Sequence, residues 1–221
     1  TSFVGGILAA ALEKNISYRE YLTTLVVAYE VTVRCGLALQ DHYRIPYGYL
    51  STGAYGAFGT AAGVGRLLGF TPQQLNNALS VAEFHAPITP VMRSVQHPSM
   101  NKDGVPFGVL VGVVAAQETL AGSTGRGYLL ELPKYCPLLD TLGQKYEIQR
   151  LYFKPYTCCR WAHQPISACI DLKKKFGFDF TDVEQVYVHT FDAAAQLSKE
   201  IPTSTDQAQY NIAWPVAAAL V

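Results

Sequence analysis

Charge of either sign is scarce in this chain of 221 residues. Lys, Arg, Asp and Glu make up 15% of it, and 17 basic residues face 17 acidic ones. No run of basic residues with interleaved aromatics occurs, so a nucleic-acid partner has no electrostatic footprint, and any anionic ligand has to be held by local cations. Cysteine is sparse and odd in number: Cys35, Cys136, Cys158, Cys159 and Cys169 lack the regular spacing of a secreted disulfide framework and point to reduced thiols in the cytoplasm. Long apolar runs are missing too. A stretch such as Val109 to Ala116 falls well short of the roughly 18 residues that cross a bilayer, and nothing like a signal peptide opens the chain. What is present is an apolar fraction of 49%, enough to bury a real core.

Apolar spacing predicts helices over Phe3 to Leu12, Tyr18 to Leu39, Thr52 to Leu68, Thr71 to Phe84, Phe107 to Leu120 and His163 to Phe176. Ser17 with Glu20, and Thr71 with Pro72 and Gln74, carry N-terminal capping signatures. Tyr146 to Phe153 and Val183 to Phe191 alternate as strands do. His85 to Pro106 reads as a long irregular span, a length that in compact domains usually serves function. The organisation changes near residue 135, from a helical part over residues 1–134 to an α+β part over 135–221. Both ends read as cuts through a longer polypeptide, since Thr1-Ser2 stands directly before a helical run and Ala217 to Val221 reads as the middle of an apolar helix.

The glycines of the third helical run do not make a dinucleotide site. Gly63-Val64-Gly65-Arg66-Leu67-Leu68-Gly69 has the wrong final spacing, follows no strand and precedes no suitable acidic residue. Close helix packing explains them instead. The densest chemistry lies in Phe153-Lys154-Pro155-Tyr156-Thr157-Cys158-Cys159-Arg160-Trp161-Ala162-His163, where cations, thiols and an imidazole stand between apolar runs. Adjacent cysteines have difficulty ligating one tetrahedral ion and no second Cys or His pair stands at zinc spacing. No acyl-transfer signature surrounds either thiol. A second conspicuous group is the polar turn Gln40 to Pro46, with Asp41, His42 and Tyr43, followed by Tyr47.

In this order the segments resemble the MmgE/PrpD family, which includes 2-methylcitrate dehydratases, cis-aconitate decarboxylases and an iminodisuccinate epimerase. The carriers are Gly48 to Gly59, Leu68-Gly69-Phe70 leading into Asn77-Ala78-Leu79-Ser80, Ser99-Met100-Asn101-Lys102-Asp103-Gly104, and Lys154 to His163. The resemblance implies a mainly α fold: a helical domain, incomplete here, then a smaller α+β lid, with the active site between them. It also implies a homodimer and no cofactor. Lys102 and Lys154 take the places of two lysines that line the family's active site, while Leu50 stands where dehydrating and decarboxylating members often carry a histidine.

Removing a proton beside a carboxylate builds up negative charge, so the site needs a base near the C–H bond and cations aimed at the developing dianion. Lys102, Lys154 and Arg160 supply the cations. His42 or a lysine moves the proton, and Tyr43, Tyr47, Thr52 and His163 contact the substrate. The expectation is a lyase, dehydratase-like, acting on a small di- or tricarboxylic acid. An epimerase, a cis-aconitate-type decarboxylase and a non-catalytic dimeric carboxylate-binding homologue are the alternatives.

Overall fold

The computed structural model describes residues 2–40 and 52–221. Helices α1 (Val4–Glu13), α2 (Tyr18–Leu39), α3 (Thr52–Leu67), α4 (Pro72–His85), α5 (Val91–Gln96), α6 (Val105–Leu120), α7 (His163–Phe176), α8 (Asp192–Ala195), α9 (Thr205–Gln209) and α10 (Ala213–Ala218) follow in order. The chain divides into two compact units, residues 1–91 with 103–151, and residues 92–102 with 152–221.

In the first unit, α3 is the central helix, packed against α1, α2, α4 and α6. Its composition explains how it can touch so many neighbours. A Cβ on Gly63 would meet Ile7 Cγ1 of α1 at 2.7 Å, and one on Gly59 would meet the Ala28 carbonyl of α2 at 2.8 Å. Across the α3–α6 contact, a Cβ on Gly108 would lie 2.6 Å from Gly53 Cα, so the two backbones touch directly. Around this crossing Cys35, Ala57, Phe58, Ala61, Leu79, Ala82, Ala115, Leu129 and Leu130 form the buried core.

The helix starts follow their capping chemistry. Ser17 accepts the Glu20 N–H at 3.2 Å, though the Glu20 carboxylate turns to Arg66 at 2.8 Å rather than closing a box. Thr71 and Gln74 form the full reciprocal capping box with Pro72 at the helix start.

Glu30 and Arg34, one turn apart on α2, form a buried ion pair at 3.0 Å with Glu30 6% and Arg34 2% exposed. Arg34 Nη1 donates to Thr141 Oγ1 at 3.0 Å and to the Leu138 carbonyl, and Nη2 to the Lys145 carbonyl at 3.0 Å, while Glu30 Oε1 accepts the Ile148 N–H at 3.2 Å. The pair fastens the irregular segment 138–148 to the helical core. By length and mean hydropathy (1.5) α2 also meets the criterion for a bilayer-crossing helix, one that core helices of folded domains meet equally.

Three readings of the sequence are corrected here. Tyr146 to Phe153 is not a strand: Glu147–Arg150 winds into a 3-10 turn, because the Ile148 N–H is taken by Glu30 and Arg150 pairs with Glu147 at 3.0 Å. Val183 to Phe191, with His189 on it, joins no ladder. Its alternation is real, but alternation forms a strand only where a neighbour supplies hydrogen bonds. The span His85 to Pro106 is partly helical, containing α5 and the 3-10 turn Lys102–Gly104.

Candidate functional site

Gln209, the last residue of α9, contacts both Lys102 and the backbone of the Lys154–His163 stretch. The backbone turns left-handed over Lys102 (φ 26°), Asp103 (φ 57°) and Gly104 (φ 64°), a conformation costly for the two residues that carry a Cβ. Lys102 Nζ donates to Gln209 Oε1 at 2.5 Å and lies 3.4 Å from Asp206 Oδ1 on the same helix. The Gln209 main-chain carbonyl in turn accepts the Cys159 N–H at 2.7 Å. One residue therefore ties Lys102 to the Lys154–His163 stretch, although 107 positions separate it from Lys102.

Within that stretch the Cys158 carbonyl is the local organiser. It lies 3.4 Å from Lys154 Nζ and 3.3 Å from His163 Nε2. A carbonyl can only accept, so Nε2 carries the proton and Nδ1 the lone pair when the ring is neutral. His163 is 3% exposed, and its Nδ1 has no partner among the described residues. Burial, aided by the nearby Arg160 and Lys154 charges, moves its pKa below the ordinary imidazole value of 6.5 despite the carbonyl's opposing pull. Tyr156 packs edge-on against the ring at 5.2 Å and hydrogen-bonds Ser167 at 3.0 Å.

Arg160 donates from Nε to the Tyr152 hydroxyl at 2.9 Å and lies over that ring at 5.4 Å. With His163, Gln164, Ser167 and Asp171 it lines an open cleft of about 390 Å³. Behind it Trp161 meets Phe191 edge-on at 5.5 Å. The Cys158 thiol has its pKa pushed up, chiefly by burial and then by Cys159, so at neutral pH it is a thiol rather than a nucleophilic thiolate. Among the described residues no three His, Cys, Asp or Glu groups converge as a metal would require.

A depressed histidine pKa has a thermodynamic signature. The folded state binds the His163 proton less readily than the unfolded chain, so the contribution to stability is full above pH 6.5 and is lost as pH falls toward the folded value. Urea midpoints compared at pH 7.5 and 5.5 are expected to fall less in His163→Gln than in the unaltered protein. Equal falls would show that this ring is not the source.

Of the residues expected at the site, Lys102, Lys154, Arg160 and His163 all belong to the second unit. Thr52 begins α3 in the first unit, where its hydroxyl accepts from Tyr55 at 3.2 Å and donates to Asp103 Oδ2 at 3.4 Å. His42, Tyr43, Tyr47 and Leu50 lie outside the described residues. Asp206 and Gln209 were not anticipated from sequence. The usable signal was the cap Ser204, which accepts the Gln207 N–H at 3.3 Å and marks a helix start at the right place.

A mainly helical fold is the class that these features define. The MmgE/PrpD N-terminal domain model matches residues 1–148 and the MmgE/PrpD C-terminal domain model residues 156–221. The chain belongs to the MmgE/PrpD family. It is similar to a cis-aconitate decarboxylase of Aspergillus terreus (strain NIH 2624 / FGSC A1156), with 25% identity over 244 residues, covering 99% of this chain and 50% of the relative. It is also similar to a cis-aconitate decarboxylase-like protein of Aspergillus oryzae (strain ATCC 42149 / RIB 40), with 25% identity over 236 residues, covering 93% and 48% respectively. The chain thus spans about half the length of the curated relatives it matches.

Proposed function

We propose that the protein carrying this chain is a cofactor-independent lyase, of dehydratase or decarboxylase type, acting on a small di- or tricarboxylic acid. The observation that carries the reading is the convergence on Gln209, which ties Lys102 to the stretch bearing Lys154, Arg160 and His163. Lys102, Lys154 and Arg160 stand on segments that Gln209 joins, and a substrate with several carboxylates suits such cations. Lys102, Lys154 and Arg160 bind and polarise the acid, stabilising the dianion that forms as the neighbouring C–H bond breaks. His163, held neutral, lines the cleft without adding charge. The proton is moved by His42 or a lysine.

A second reading is favoured by Leu50, which stands where the family resemblance leads one to expect a histidine. An epimerase of a dicarboxylate such as iminodisuccinate needs a base on each face of the carbon and no acid for a leaving group. A reducing, cytoplasmic setting goes with this reading, since the five cysteines lack the spacing of a disulfide framework.

The test is incubation of the full-length protein in deuterated water with 2-methylcitrate, cis-aconitate or iminodisuccinate, followed by NMR. Either loss of water from 2-methylcitrate, with the abstracted proton released to solvent, or loss of CO2 from cis-aconitate, with one deuterium delivered to the carbon that CO2 leaves or its allylic partner, is expected, and Lys154→Ala should lower the rate at least about tenfold. Exchange without elimination selects the epimerase. Binding with neither turnover nor exchange would leave a carboxylate-binding homologue.

A further inference from the structure

Lys102 is held in a way that a freely acting base is not. Its ammonium has three N–H donors, one directed at Gln209 Oε1 at 2.5 Å while Asp206 Oδ1 stands at 3.4 Å. The lysine and aspartate side chains are 35% and 24% exposed. A pair so open to water contributes little to stability, and the left-handed backbone at Lys102 and Asp103 works against the fold. Stability therefore does not account for the arrangement. Its effect is instead to fix where a positive charge stands.

We propose that Asp206 and Gln209 are positioning residues: they hold the Lys102 ammonium in place and aim it, so that Lys102 binds substrate carboxylate through a remaining N–H while another group moves the proton. The proposal rests on the reading of Lys102 as a site residue. It assigns α9 a role that its sequence, Thr205-Asp206-Gln207-Ala208-Gln209, does not advertise. Asp206 supplies the counter-charge and Gln209 the aim. Because the main-chain carbonyl of Gln209 also takes the Cys159 N–H, displacement of α9 would disturb Lys102 and the Lys154 stretch together.

Two kinds of measurement on the full-length protein decide the matter. The first is the rate at which a small acylating reagent modifies Lys102, read by peptide mass spectrometry. Asp206→Asn and Gln209→Leu should each raise it at least threefold, with the other lysines unchanged as an internal standard. The second is kinetic, on whichever acid of the panel is turned over. Both variants should raise KM at least fivefold with kcat within twofold, and Lys102→Arg, which keeps a fixed cation, should retain deuterium exchange that Lys102→Ala loses. Unchanged labelling in both variants overturns the proposal, as does loss of exchange in Lys102→Arg equal to that in Lys102→Ala. Should no acid be turned over, the functional reading fails separately, and the labelling rates still decide whether α9 holds Lys102.

Discussion

Arg34→Met, with Glu30 left in place, is expected to lower the unfolding free energy by about 3–5 kcal/mol. The magnitude follows from what is stranded rather than from what is removed. Glu30 is 6% exposed; without the guanidinium its carboxylate keeps the Ile148 N–H but loses its counter-charge. The Leu138 and Lys145 carbonyls and the Thr141 hydroxyl lose a donor in the same step. A charge left in a dry core costs far more than an exposed one. The control is the double replacement Glu30→Leu with Arg34→Met, which leaves no unpaired charge and should recover a large part of the loss. Urea unfolding followed by circular dichroism measures both. A loss below about 1 kcal/mol in the single variant would mean that the pair is hydrated, as surface pairs are.

The second large effect belongs to the α3–α6 contact. Gly108→Ala should cost about 3 kcal/mol, at the upper end of what overpacking a core exacts. The added methyl would sit 2.6 Å from Gly53 Cα and 2.7 Å from its carbonyl carbon. These are backbone atoms, which cannot swing aside as the end of a side chain can, so the helices must separate along their length. Gly5 offers the comparison, since a Cβ there meets nothing within 4 Å. Gly5→Ala in α1 should be neutral or slightly stabilising, because alanine is the better helix former. Comparable losses in the two variants, by thermal unfolding, would show that helix propensity and not contact governs these positions.

The helices were legible because each carries its period and its punctuation together. Thr71, Pro72 and Gln74 announced α4, and Gly177 (φ 67°) closed α7 where the apolar pattern ended. Glycine-rich α3 was read correctly as a close-packing element because no strand and no acidic residue surrounded its glycines. The two strand readings failed for one reason. Tyr146 to Phe153 and Val183 to Phe191 have the right alternation, but a strand is a property of a pair, and the decisive partner of the first was a carboxylate on α2. Lys102 and Lys154 were singled out through family resemblance, whereas Asp206 and Gln209 were not, since an acid and an amide on a short polar helix have no pattern of their own. Glu30 and Arg34 were visible as opposite charges one turn apart, yet only the packing of residues 138–148 over them makes the pair buried.

The tie at Gln209 also sets an order of events during synthesis. Lys102 and the Lys154–His163 stretch are made before residue 205, but the helix that links them arrives later. A chain still on the ribosome and ending short of that helix holds both segments without the link between them. Closing a span of 107 residues carries an entropic cost that local helix formation does not. The helical unit can therefore form first, and the link between Lys102 and the Lys154 stretch closes late, when the chain that will hold Lys102 has finally been made.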